Sequence, residues 1–149
     1  LSPVLNTLDQ LKRWKPYGNP SILHLDTGMR RLGLEHKDVA WLSAHPELIK
    51  HAGVTHYMSH LACADDPKHI MNKQQIGDLR GMVSLLPKRK ISFANSAGIY
   101  LGKEFHFDLA RPGCALYGIN PTPEKKNPML GVARLSAPIL QIRTLEKRE

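Results

Sequence analysis

Two short turns in this chain carry the residue types that hold an anion. The first is Ala94-Asn95-Ser96-Ala97-Gly98, directly after the apolar run Ile91-Ser92-Phe93. The second is Arg111-Pro112-Gly113-Cys114-Ala115, directly after Phe107-Asp108-Leu109-Ala110. A strand that ends in small residues before a helix start leaves N–H groups free at its tip, and such a tip attracts a phosphate. Ser96 adds a hydroxyl. Gly113 allows close approach of the backbone, and Arg111 adds a fixed charge with a planar fork of donors. Two ordinary strand-to-helix turns with polar residues would read the same way. His60, which follows the run Val54 to Ser59, is a further polar residue at a strand end.

These positions need elements to hold them. Leu5, Leu8, Leu11 and Trp14 are spaced by three and predict a short helix over Pro3 to Trp14, broken by Pro16 to Pro20. Ser21 to Leu25 reads as a buried strand, turned by Asp26-Thr27-Gly28-Met29. The segment with Val39, Trp41 and Leu42 reads as helix up to Pro46, with one more turn over Glu47 to Lys50. Val54 to Ser59 predicts a second strand. His69 to Leu86, with Ile76, Leu79, Val83 and Leu86 on one face, predicts the best helix, ended by Pro87. Lys90 to Phe93 and Phe107 to Ala110 predict two more strands. This alternation implies α/β architecture, a parallel sheet covered by helices. An eight-stranded barrel needs roughly 250 residues, so these units do not close one. Sites in parallel barrels lie at the C-terminal ends of strands. His60, Asn95, Ser96 and Arg111 all fall there.

With 149 residues, 42% of them hydrophobic, the chain can bury one core. It has no apolar run long enough to span a membrane and no leader, which leads us to expect a soluble cytoplasmic protein without a membrane partner. Cys63 and Cys114 are too few for a disulfide framework and lack paired metal-ligand spacing. The net charge of +8 raises the prospect of a nucleic-acid partner. The basic residues are scattered, however, and aromatics make up only 6%, so no stacking platform is visible. A solvated basic surface is the expectation, and no nucleic acid. After Gly118 the segment Asn120 to Pro128 is rich in proline and charge. Beyond it, Leu140, Ile142 and Thr144 alternate with polar residues, as in a half-exposed strand. We expect one unit over residues 1–127 and the opening of a second, β domain over 128–149.

The wording of the two turns, ANSAG and then FDLARPGCALYG, resembles the alanine racemases, pyridoxal 5′-phosphate (PLP) enzymes of fold type III. LHLDTGMRRLGL, SHLACADD and PVLNTLDQL, upstream, resemble further stretches of that family in the right order. The resemblance runs from Pro3 to Lys147. It implies a partial (β/α)8 TIM barrel followed by the first strand of a C-terminal β domain. It implies a fragment of an isomerase that, when complete, interconverts L- and D-alanine as a homodimer and supplies D-alanine for peptidoglycan. On the same resemblance Asn95 and Ser96 bind the cofactor, Ser96 donating its hydroxyl to the phosphate, and Gly113 and Cys114 offer it backbone N–H groups. Arg111 faces the pyridine nitrogen and keeps it unprotonated. His60 hydrogen-bonds with Arg111, Arg31 helps hold the substrate carboxylate or the cofactor's phenolic oxygen, and Asp65 lies near the substrate entrance. No metal is implied.

Other fold III enzymes, a broad-specificity racemase or a decarboxylase, share this outline, although Arg111 stands where decarboxylases usually place an acid. An inactive fragment or a basic binding module is the remaining alternative. The family's two catalytic bases, a lysine and a tyrosine, have no match in this sequence, so the chain alone is expected to be inactive. Two positions depart from the family pattern. Arg148 replaces a glycine. His24 replaces a lysine that is often carbamylated, and we expect a small anion to bridge His24 and Arg31 in its place. The alternative is a neutral His24 bonded directly to a neighbour.

Overall fold

The computed structural model describes residues 1–145. Its strands are β1 (Val4–Leu5), β2 (Ser21–His24), β3 (Val54–Met58), β4 (Lys90–Asn95) and β5 (Leu109–Arg111). Its helices are α1 (Leu8–Trp14), α2 (His36–Ser43), α3 (Pro46–His51) and α4 (Ile70–Ser84). Single 3-10 turns occupy Gly98–Tyr100, Lys103–Phe105 and Cys114–Tyr117. The five strands form one parallel sheet in the order β1-β2-β3-β4-β5, so each strand lies beside its predecessor. This is the strand arrangement of a partial (β/α) barrel.

Local chemistry explains most boundaries. The Thr7 hydroxyl accepts the Gln10 N–H and starts α1 at Leu8. Val4 and Leu5 are therefore left outside the helix, where they pair with Ile22 and Leu23. The helix expected over the whole of Pro3 to Trp14 is corrected to a strand, a cap and a shorter helix. Glu35 and Asp38 form a reciprocal capping box at α2, and Pro46 opens α3. The fourth strand expected from Phe107 begins two residues later. Phe107 has a φ of 48°, which a strand does not tolerate, and the Asp108 carboxylate accepts the Ile91 N–H. Arg111 is thereby the last residue of β5 rather than the first of a turn.

The core gathers Leu11 from α1, Leu23 and Leu25 from β2 and its continuation, Leu42 and Ile49 from α2 and α3, Leu79 and Met82 from α4, and Phe93 from β4. Beyond β2 the chain makes a loop that closes on itself. Leu25 bridges Leu34, Asp26 N–H donates to the Leu34 carbonyl at 2.9 Å, and Leu34 N–H donates to the His24 carbonyl at 2.9 Å. Gly33 sits at that neck with φ of 112°, where a Cβ would lie 2.8 Å from the Asp26 nitrogen. The loop so closed carries Arg31.

Within Val132 to Leu145, where a strand is expected, the described residues pair with no other strand. Residues 132–145 have no helix or strand, and Leu135, Ile139, Leu140 and Ile142 are exposed. Alternation alone does not make a strand, because its backbone groups need a ladder to pair with. Arg148 lies outside the described residues. No helix among the described residues is long and apolar enough to cross a membrane.

Candidate functional site

The C-terminal ends of β2 to β5 bring the polar residues of interest together. Arg111 is the centre. Its Nη1 donates to Ser92 Oγ at 2.6 Å and its Nη2 to the Ser59 carbonyl at 2.6 Å. Nη2 also reaches the Phe93 carbonyl at 3.3 Å and His60 Nδ1 at 3.4 Å. The guanidinium thus ties β5 to the ends of β3 and β4. Ion pairs among the described residues are Arg13 with Asp9 and Lys37 with Glu35, both exposed. Arg111 is a half-buried cation held by neutral oxygens, with no carboxylate balancing its charge. Burial lowers its pKa, but an arginine starts high enough to stay charged.

The two histidines of the site are neutral. His60 lies below its ordinary range because of burial first, then the charges of Arg111 and Arg31. Its Nδ1 accepts from Arg111, which leaves the proton on Nε2. His24 is pushed down to about 4, chiefly by burial and next by Arg111, with Asp26 opposing. Its Nδ1 meets Asn6 Oδ1 at 2.8 Å, and Asn6 Nδ2 is turned to the Val4 carbonyl. An amide oxygen only accepts, so Nδ1 is the donor and Nε2 a lone pair. A neutral ring with an acceptor nitrogen does not attract an anion. The expected bridge between His24 and Arg31 is therefore corrected to the direct bond, His24 to Asn6.

This has a consequence for acid stability. A histidine whose folded pKa lies below its unfolded value of about 6.5 takes up more protons when unfolded. Stability is then full above about 6.5 and falls as the pH drops toward 4, by roughly 2 kcal/mol from His24. His60 acts in the same direction. His24→Gln keeps a donor for Asn6 and is expected to flatten this dependence. Thermal unfolding at pH 7 and pH 4.5 checks it. Parallel losses in the parent and the variant would assign the acid sensitivity elsewhere.

The two anion-facing turns are joined. Ser96, which is buried, accepts the Ala115 N–H on its Oγ at 3.2 Å and keeps its own hydroxyl hydrogen. Cys114 N–H has no partner among the described residues, whereas Gly113 N–H donates to the Arg111 carbonyl at 2.8 Å. A Cβ on Gly113 would meet nothing within 4 Å, so the space in front of this turn is open. The Asn95 amide is committed to the fold: Oδ1 accepts the Gly98 N–H at 2.9 Å and Nδ2 donates to the Leu61 carbonyl at 3.3 Å. Asn95 shapes the turn that Ser96 occupies. Arg31 is exposed on its loop and enters the site through its charge on His24 and His60. Asp65 is exposed beside a small cleft shared with Tyr100, Leu101 and Pro121. Sequence reasoning did not single out Ser59, Ser92 or Asn6, because nothing local marks a residue whose partner lies on another strand.

The family model of the alanine racemase N-terminal domain matches residues 1–121. The chain belongs to this family. The alanine racemase of Acidiphilium cryptum is 46% identical over 154 aligned residues, covering 100% of this chain and 43% of that protein. The catabolic alanine racemase of Mesorhizobium japonicum is 43% identical and covers 99% of this chain, which spans 40% of its length. The crystal structure of alanine racemase from Bartonella henselae, with covalently bound pyridoxal phosphate, superposes with a TM-score of 0.83 at 36% identity. It covers 88% of this chain and 40% of its own. The biosynthetic alanine racemase of Pseudomonas aeruginosa follows with a TM-score of 0.71 at 31% identity, covering 83% of this chain and 36% of its own. The chain thus spans less than half the length of these alanine racemases, and its sheet is part of their barrel.

Proposed function

We propose that the complete protein carrying this chain is a PLP-dependent alanine racemase that interconverts L- and D-alanine. The observation that supports it most is Arg111, an uncompensated cation aimed at the sheet end where Ser96 and Cys114 offer donors. That donor set fits a phosphate ester and an electron-rich ring nitrogen. When bound, PLP supplies the conjugated ring that withdraws electrons from the α-carbon as its proton leaves. Ser96 Oγ–H and Cys114 N–H hold the phosphate. The Gly113 N–H is turned away to Arg111, so Gly113 contributes open space rather than a donor. Arg111 faces the ring nitrogen and keeps it free of a proton, which limits side reactions. His60 and the Ser59 carbonyl hold Arg111 in place. Arg31 meets the substrate carboxylate or the cofactor's phenolic oxygen, and Asp65 lies toward the entrance.

In this reading residues 1–127 belong to the barrel and residues 128–149 open a β domain. The complete protein acts as a cytoplasmic homodimer and feeds D-alanine to peptidoglycan. It takes alanine as its substrate and has no nucleic-acid or membrane partner. The two bases that remove and return the α-proton have no counterpart in this sequence. The chain by itself, given PLP and L-alanine, is expected to form no D-alanine above the rate of free PLP. A chimera in which residues 1–149 replace the aligned segment of the Acidiphilium cryptum enzyme is expected to form it. Turnover by the chain alone would show that the bases are misplaced. A folded chimera that binds PLP but leaves L-alanine unchanged would sink the reading.

A further inference from the structure

Helix α4 carries a buried amide that the proposed chemistry does not use. Gln75 is 0% exposed. A buried amide is tolerated only when both of its ends find partners. Its Oε1 accepts the Ala62 N–H at 2.9 Å, and its Nε2 donates to the His60 carbonyl at 2.9 Å and to Thr27 Oγ1 at 3.2 Å. Thr27 Oγ1 in turn shares a hydrogen bond with Ser59 Oγ at 2.7 Å. One side chain therefore grips the loop after β3 on both sides of Leu61 and links it to the end of β2. That loop holds two of the three groups that meet the Arg111 Nη2, the Ser59 carbonyl and His60 Nδ1.

We propose that Gln75 is a positioning residue for the site. It fixes the backbone from Ser59 to Ala62 so that the Ser59 carbonyl and the His60 ring meet Arg111 in a set geometry. The inference rests on the reading of the site as a racemase centre. It separates from a purely structural role because the bonds need a donor and an acceptor at once. Gln75→Leu removes all three bonds. Gln75→Glu keeps the acceptor for Ala62 but donates to His60 only when protonated. Burial against two acceptors raises the pKa of such a carboxyl above its ordinary range. The network is then complete at low pH and broken at high pH. The titratable and charged groups on the segments it bonds and on its own helix are Asp26, Arg30 and Arg31 after β2, His60 and Asp65 after β3, and Lys73, Asp78 and Arg80 on α4, with Arg111 of β5 bonded to the same loop. All are shared with the parent, so a new transition in the glutamate variant reports position 75.

The test uses the PLP-loaded chimera, with alanine kinetics, cofactor absorbance and amide hydrogen exchange followed from pH 5 to 9. Gln75→Leu is expected to lower kcat about tenfold at every pH, with KM for alanine within about twofold of the parent. It should speed exchange in residues 59–62 while the rest of α4 stays protected. Gln75→Glu is expected to match Gln75→Leu at pH 9 and return toward the parent as the pH falls, in kcat, absorbance and exchange together. A folded Gln75→Leu with the parental kcat, or a folded Gln75→Glu with no new pH transition, would overturn the proposal. If neither folds, Thr27→Val, which cuts only the link from Gln75 to Ser59, carries the test. An expected loss of about threefold in kcat supports the proposal, and an unchanged kcat overturns it. A parent chimera that binds no PLP would instead fault the racemase reading itself.

Discussion

Arg111→Glu in the chimera is expected to lower alanine racemisation by roughly 100-fold or more, the scale on which a single preorganised charge acts. The guanidinium holds three strand ends together, with bonds of 2.6 Å to Ser92 Oγ and to the Ser59 carbonyl. A carboxylate there faces carbonyl oxygens that have no proton to offer. In the proposed site it also sits opposite the cofactor's ring nitrogen and lets that nitrogen hold a proton. The absorbance of the PLP-loaded protein should therefore change along with the rate. Arg111→Lys keeps the charge and loses the fork, so it should fall between the two. Racemisation assays and absorbance spectra on the same samples check this. An unchanged spectrum at an unchanged rate would remove Arg111 from the ring.

The second large effect is on stability. Phe93→Ala is expected to destabilise the fold by about 3–5 kcal/mol, as deletion of a buried aromatic ring usually does. Phe93 is fully buried, with Phe105 at 6.2 Å and Phe107 edge-on at 5.9 Å between ring centroids. Those two rings come from the irregular chain between β4 and β5, so Phe93 is what packs that connection onto the sheet. Its carbonyl also accepts from Arg111. Loss of the ring should loosen both the connection and the turn bearing Ser96, and PLP affinity should fall with the melting temperature. Thermal unfolding measures the first and cofactor titration the second. A loss below about 1 kcal/mol would show that the ring is not tightly packed.

The sequence was most informative where structure is set locally. The helix on Ile76, Leu79 and Val83 follows from period and from Pro87, and the strands from Ser21, Val54 and Lys90 follow from apolar runs between turn residues. The position of His60, Asn95, Ser96 and Arg111 at strand ends followed from the same reading, since it needs only boundaries. Val4 and Leu5 were misread because Leu5 keeps the spacing of the helix behind it. Only the Thr7 cap tells them apart. Gln75 gave no sign of its role, being one of two adjacent glutamines whose difference is which face of α4 each occupies. The Leu140 and Ile142 alternation is the opposite case: the local pattern is present, and no strand among the described residues pairs with it. His24 was read as one half of an ion bridge because its neighbour Asn6 lies just past the end of β1, far away in sequence.

The order of strands in the sheet is also the order in which a ribosome releases them. Each strand finds its predecessor already available, so the sheet can grow by accretion at one edge, with no place held open for a later arrival. Each closure spans one connection rather than the whole chain, which keeps its entropic penalty small. Arg111 stands on β5, the last of the described strands in chain order. The oxygens of Ser59, Ser92 and Phe93 are in place before it. Arg111, half-buried and without a counter-charge among the described residues, thus enters an environment that is already solvating it.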